Sequence, residues 1–223
     1  NKECTVWLTY HDDGQVASSN LQEDEYHVLL PVHKDAKRKN INFMHPVMSE
    51  IVTMWYVWKN KLRSDIVGFE HYHRHLNIAR YPKKGECGIY AKEDFGRLTI
   101  YKQYSLSHDG TDMDLMLQVL DAKYGGGNAY SDHIINSHVL ITNCCFLMQW
   151  SDFNSLCKYL FPLLEQYSEK VGIEPYSENS VACWRQRAAD RFGEAYADYQ
   201  CRVLGFLAER LISAWIVTHL NPY

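Results

Sequence analysis

Asp65-Ile-Val-Gly-Phe-Glu-His-Tyr-His-Arg-His75 is a short apolar run that ends abruptly in histidine, arginine and carboxylate. An apolar run of about four to eight residues has the character of a buried strand in a parallel sheet. In open α/β sheets, ligands sit beyond the carboxyl ends of the strands. His71, His73, Arg74 and His75 therefore fall where anion binding or chemistry is expected. A charged cluster at the end of a buried strand is costly without a partner, which points to a polar ligand.

Thr5-Val-Trp-Leu-Thr-Tyr10 reads as an earlier strand, closed by the polar turn His11-Asp-Asp-Gly14. Residues 26–32 give a second short strand. Pro46 suits the first turn of a helix, and Val47, Ile51, Met54, Trp58 and Leu62 recur at helical spacing. One helix is expected over 47–62, with Glu50 at the border of its apolar stripe. Strand, helix, strand in this order indicates an α/β layer with a mainly parallel, Rossmann-type sheet flanked by helices.

Residues 77–96 read as loop, and Leu98-Thr-Ile-Tyr101 reads as a strand. Thr111 and Asp114 have capping-box spacing ahead of a helix carrying Met113, Met116 and Leu120. His138 to Met148 reads as one or two buried strands. Ser151 is placed to cap the next helix, with a kink expected at Pro162. The last helix, about 199–217, is apolar on both sides, so it is expected to be buried on both. Arg202, Gly205 and Glu209 share one of its faces, where Glu209 needs a cation or a ligand hydroxyl. Core packing is the simpler account of this helix, with contact to a membrane surface the alternative.

The 223 residues suffice for one domain, 1–223, with a full core, and no internal repeat divides them. A net charge of −4 gives no overall basic field, so no nucleic-acid partner is expected. The seven cysteines form no Cys-x-x-Cys motif, and the adjacent Cys144 and Cys145 read as buried thiols of a reducing compartment. No secretory signal or bilayer-length apolar run is read, so a cytoplasmic location is expected, including the inner face of the membrane.

Individual residues carry open alternatives. His11 follows the first strand, where a nucleotide base or ribose enters such sheets. Asn143 sits inside an apolar run and must bond either backbone or a sugar hydroxyl. Glu50 is either a solvated residue at a helix start or a ligand contact. Glu209 either pairs with Arg202 or Arg210 or touches substrate. Asp112 either caps a helix or contacts a ligand. On an extended chain His71, His73 and His75 would share one face, which is metal-ligand spacing.

Three blocks of the chain resemble bacterial glycosyltransferases of capsular and exopolysaccharide biosynthesis, a family long catalogued as a domain of unknown function. His45-Pro-Val-Met-Ser-Glu50, Trp55-Tyr-Val-Trp-Lys-Asn60 and Gly68-Phe-Glu-His-Tyr-His-Arg74 form the first. They are similar to the family's Asn-Pro-Ser-Phe-Cys-Glu, Tyr-Trp-Ala-Trp-Lys-Asn and Gly-Leu-x-His-Tyr-Arg-Arg. Asn143-x-x-Phe-Leu-Met148 with Tyr159-Leu-Phe-Pro-Leu163 resembles Asn-Met-Phe-Ile-Met with Trp-Leu-Phe-Pro-Ile. Gly205-Phe-Leu-Ala-Glu-Arg-Leu211 resembles Gly-Phe-Ile-Ala-Glu-Arg-Leu. His45 departs from the family's Asn and His73 from its first Arg, and about 173–198 looks like a helical insertion.

The resemblance implies a GT-A-like fold and transfer of a hexosyl group, galactosyl-type sugars among them. The donor would be a nucleotide-diphosphate sugar, UDP-linked by preference. The acceptor would be a glycan or lipid-linked glycan in capsular, exopolysaccharide or lipopolysaccharide synthesis. Donor and phosphate contacts would come from His11, Glu50, His71, Tyr72 and His73, together with Arg74, Asn143 and Arg210. Glu209 or Asp112 would be the catalytic carboxylate. Such enzymes commonly hold Mn2+ or Mg2+ on an Asp-x-Asp motif, but here Glu70-His-Tyr-His-Arg74 stands in that place. Arginine and protonated histidine can neutralise a diphosphate directly, whereas Glu70 and the histidines could instead ligate Mn2+ or Zn2+. Two other readings compete, a metal-dependent hydrolase built on His71 and His73 and a glycan-binding module using the aromatic residues.

Overall fold

Lys2–Tyr10 (β1) and Ser64–His71 (β3) are buried along almost their whole length, because both faces of the sheet they form are covered. The computed structural model describes residues 2–34 and 36–223. In chain order, Asp13–Ser18 (α1), His27–Pro31 (β2), His45–Met48 (α2) and Ile51–Lys59 (α3) precede β3. Glu86–Ile89 (β4), Lys92–Asp94 (β5), Ile100–Ser107 (α4), Gly110–Tyr124 (α5), Ala129–Asn136 (α6) and Val139–Ile141 (β6) follow it. Phe146–Gln149 (β7), Trp150–Val171 (α7), Glu178–Phe192 (α8), Ala197–Gln200 (α9), Val203–His219 (α10) and Asn221–Pro222 (β8) complete the order.

The main sheet runs β2-β1-β3-β7-β4-β8, and a two-stranded sheet joins β5 to β6. β1 is parallel to β2 and β3, and β4 to β8, while β7 runs antiparallel to both its neighbours. This is a mixed α/β fold with a mainly parallel central sheet flanked by helices. Alternation along β3 sends Val67, Phe69 and His71 to one face. There Phe69 meets Phe153 of α7 at 5.0 Å, and α3 packs through Thr53, whose hydroxyl lies 2.8 Å from that of Thr9 on β1. Ile66 points to the opposite face with Cys4, Val6 and Leu147, under Leu76, Ile78 and Tyr81.

Several local expectations change. The helix expected over 47–62 is broken at Ser49, whose φ of 52° no helix contains, so Glu50 begins a second helix as its N-cap. Leu98–Tyr101 is no strand, because Thr99 caps α4 by accepting from Lys102 N–H at 3.2 Å. The cap of α5 is Asp109 rather than Thr111, and Asp114 accepts from Tyr101 Oη instead, at 2.7 Å. Helix α7 begins at Trp150 without a side-chain cap and continues through Pro162. β4 and β5 lie in the stretch read as loop. His138 to Met148 holds two strands in different sheets, β6 and β7, and α8 falls within 173–198.

α10 is buried on nearly every side, which accounts for its apolar character by core packing. Among the described residues no helix is long and apolar enough to cross a membrane.

Candidate active site

A cavity of about 390 Å3 opens where the carboxyl end of β3, the α2–α3 junction and the start of α10 meet. His71 closes its floor as the last residue of β3, with 4% of its surface exposed. Arg74 Nη1 lies 3.2 Å from His71 Nδ1. A guanidinium only donates, so Nδ1 accepts and the neutral ring carries its proton on Nε2. That nitrogen is buried without a partner among the described residues. Burial pushes the His71 pKa down, against the pull of Glu50, whose Oε1 lies 3.9 Å from Nδ1. Burial works to raise the Glu50 pKa, but His71, a backbone hydrogen bond, His45 and Arg202 together hold it below the usual range.

The three histidines do not share a face. After His71 the chain turns back, with Arg74 N–H donating to His71 O at 3.0 Å, so extended alternation stops there. His73 is exposed and lies against Tyr72, with 4.2 Å between ring centroids, and Tyr72 meets His11 edge-on at 5.7 Å. His75 Nδ1 is 3.0 Å from Glu70 Oε2 on the opposite face of the sheet. Glu70 has no exposed surface, accepts from Leu76 N–H at 2.6 Å, and lies 3.4 Å from His27 Nε2. Its carboxylate therefore anchors the loop after β3 and is turned away from the cavity.

The opposite wall is α10. Gly205 lets the helix touch the α2–α3 junction. A Cβ there would meet Ser49 Oγ at 3.0 Å and the Met48 carbonyl at 3.3 Å. One turn on, Glu209 Oε1 accepts from Arg210 Nη1 at 2.9 Å and Oε2 from Asn143 N–H at 2.7 Å. Arg210 is 4% exposed and also donates to Phe206 O and Gln103 Oε1. The Asn143 side chain donates to Thr142 Oγ1 at 2.9 Å. Arg202, at the N-cap of α10, sits over the Tyr199 ring, 5.7 Å from its centroid. Neither Arg202 nor Arg74 forms an ion pair among the described residues.

Phe206, Tyr199 and His108 make an aromatic end to the cavity. Next to it a hollow of about 330 Å3, lined by His11, His45, Arg185 and Asp198, shares Ser49, Glu50 and Arg202 with the main cavity. His45 lies 5.4 Å from His11, ring to ring, and its pKa is pushed down to about 4, by burial first and by His11, Arg202 and His71 in addition.

The structure thus gathers Glu50, His71, Arg74, Asn143, Glu209 and Arg210 in one cavity, with His11 in the adjoining hollow. Tyr72 and His73 do not line either. Asp112 lies elsewhere, with its buried carboxylate held by Arg187, by Arg191 and by Tyr167 Oη at 2.7 Å. With those partners it is unable to serve the cavity as a base. Sequence reasoning left out Arg202 as a site residue although it shares the Glu209 face, left out Phe206 and Tyr199, and considered His108 only as a metal ligand of the hydrolase alternative and beside the capping box.

The family profile described as "Domain of unknown function (DUF4422)" matches residues 15–98 and 82–183. The chain belongs to that family. The third block of resemblance, Gly205 to Leu211, lies beyond the matched stretches of the DUF4422 profile. No curated protein matches the chain. Among solved structures, this DUF4422 chain is similar to the apo structure of WbbM, a bifunctional glycosyltransferase, with a TM-score of 0.68 and 16% identity. The likeness covers 99% of this chain and 44% of that one, so this chain spans less than half of WbbM. At that identity it speaks for the fold, and it agrees with a GT-A-like sheet.

Proposed function

We propose that this chain is a glycosyltransferase domain that moves a hexosyl group from a nucleotide-diphosphate sugar to a glycan hydroxyl in cell-surface polysaccharide synthesis. The observation that carries this reading is the pair Arg74 and Arg202. Two guanidinium groups without ion-pair partners among the described residues line one cavity at the carboxyl end of a central strand. A diphosphate offers charged oxygens that such groups bind by charge-assisted, bidentate hydrogen bonds. The fold likeness to a bifunctional glycosyltransferase supports the assignment, and the three sequence blocks support its polysaccharide setting.

The reading is of a cavity that works without a resident divalent ion. The charge of Glu209 is neutralised by Arg210, Glu50 lies 3.9 Å from His71, and Glu70 faces away. Among the described residues no three His, Cys, Asp or Glu side chains converge as a metal site. Neutralising the leaving diphosphate falls to Arg74 and Arg202. Fixed positive charge aimed at where negative charge develops stabilises the transition state without reorganisation. Glu209 keeps free lone pairs on both oxygens for a donor-sugar hydroxyl, and the remaining wall holds the sugar in place. The divergence of His71 and His73 favours this reading over a metal-dependent hydrolase built on that pair.

Calorimetry with UDP and with uridine tests the reading. UDP is expected to bind with clear preference, and equal affinity for the two would sink the diphosphate site.

A further inference from the structure

The tautomer of His108 is fixed by its neighbours. Gln200 Nε2 donates to Ser107 O at 3.1 Å, and a carbonyl can only accept, so Gln200 Oε1 is the atom facing His108 Nδ1 at 3.0 Å. Nδ1 therefore carries the proton, and Nε2 holds a lone pair that has no partner among the described residues. The imidazole is stacked on Phe206, with centroids 3.8 Å apart and planes at 20°. Tyr199 flanks both rings at 6.2 and 5.3 Å and is 53% exposed. The charged groups around the ring are Arg210 of α10 and Asp112 of α5. Burial, aided by Arg210, outweighs the pull of Gln200 and Asp112 and brings the His108 pKa down to about 4, so the ring is neutral near pH 7.

We propose that this end of the cavity is the acceptor subsite and takes a pyranose ring. The C–H face of the sugar lies along Phe206 and Tyr199, and one sugar hydroxyl donates to His108 Nε2. That the bound sugar is an acceptor rests on the glycosyltransferase reading above. A neutral lone pair favours a hydroxyl and repels phosphate oxygens, whereas Arg74 and Arg202 do the reverse. Hydroxyl-favouring and phosphate-favouring groups thus meet in one cavity, with Arg202 against Tyr199 at their border, and the exposure of Tyr199 leaves room for a longer glycan to continue into solvent.

The test uses saturation-transfer NMR with methyl β-D-galactopyranoside and methyl α-D-mannopyranoside, each with and without UDP, and long-range 1H–15N spectra of the histidines. For the intact protein, saturation is expected on the ring protons of at least one pyranoside. His108 Nε2 should resonate as an unprotonated nitrogen and move when that sugar is added. His108→Phe keeps the ring stack and removes the lone pair. It should weaken pyranoside binding by about tenfold or more while UDP affinity changes by less than about twofold. Undiminished pyranoside binding by His108→Phe, no signal from either sugar, or a proton on Nε2 would each overturn the proposal. The tautomer measurement needs no variant, so a misfolded His108→Phe does not shelter it. Failure of UDP to bind would overturn the donor reading alone, because the pyranoside signal is also read without UDP.

Discussion

Glu209 holds the backbone of Asn143. Its Oε2 accepts the Asn143 N–H at 2.7 Å, and Asn143 and the next residue, Cys144, both have left-handed backbones, with φ of 70° and 52°. Such conformations cost about 1–3 kcal/mol each in non-glycine residues and persist where surroundings enforce them. The carboxylate on α10 thus fastens the strained turn between β6 and β7 to the cavity wall.

Replacing Glu209 by Ala should therefore act on structure as well as on chemistry. It strands the buried Arg210 guanidinium and releases the turn, so a loss of about 1–3 kcal/mol is expected in urea unfolding. Glu209→Gln keeps an oxygen for one of the two donors and should fall between the variant and the parent. UDP affinity should survive in Glu209→Gln while turnover per folded molecule drops. Unchanged turnover in a destabilised Glu209→Gln would assign this residue to the turn alone.

Arg74→Ala and Arg202→Ala should each weaken UDP binding by about 1.5–3 kcal/mol, the value of a hydrogen bond to a charged group. Neither side chain makes an ion pair among the described residues, so melting temperatures should move little. Calorimetry on both variants, with uridine as the control ligand, checks this. A matching loss of uridine affinity would mean that the cavity had collapsed.

Asp112→Ala should do the opposite. It leaves Arg187 partly buried beside an empty site and removes the acceptor of Tyr167, for a cost of about 3–5 kcal/mol. Denaturant unfolding should show the loss, while UDP affinity of the folded fraction stays the same. A folded Asp112→Ala that fails to bind UDP would contradict its place outside the cavity.

Ser49→Gly is expected to stabilise the protein by about 1 kcal/mol, since φ of 52° with ψ of −142° is a region suited to glycine. A lower unfolding midpoint would show that the Ser49 side chain contributes more than its backbone costs.

Acid should weaken the fold in a defined window. His45, His108 and His133 are each pushed down from 6.5 to about 4, chiefly by burial. Between those values the unfolded chain binds more protons than the folded one, so stability is full above about pH 6.5 and falls as pH drops towards 4. Urea midpoints measured across that range should decline together with proton uptake on unfolding, and a flat profile would refute the burial argument.

The parts of the fold set by local periodicity were legible. The apolar run before His71, the short strand-like stretch of β1 and the doubly apolar α10 each announce burial locally. That His71 opens onto a cavity followed from the polarity of β3. The break at Ser49 was not legible, because nothing in Val47-Met-Ser-Glu-Ile51 marks a positive φ. Leu98-Thr-Ile-Tyr101 has β-forming residues, yet the Thr99 hydroxyl wins by capping α4. The fan of His71, His73 and His75 depends on a turn that alternation does not anticipate. His108 and Gln200 are 92 positions apart, so their pairing carries no local signal.

That long span bears on how the protein is made. The cavity's walls come from 49–74, 93–108, 140–144 and 199–210, the first and last joined where Gly205 meets the α2–α3 junction. During synthesis β1, α3 and β3 can assemble early, since their contacts are close in sequence. For the nucleotide of the proposed function, however, the site is incomplete until α10 has left the ribosome. The stabilisation a ligand brings, about 2.7 kcal/mol at a hundred times its dissociation constant, is withheld from every shorter nascent chain. Substrate then acts as a late check on completed folding, and a chain stopped before α10 gains no protection from it.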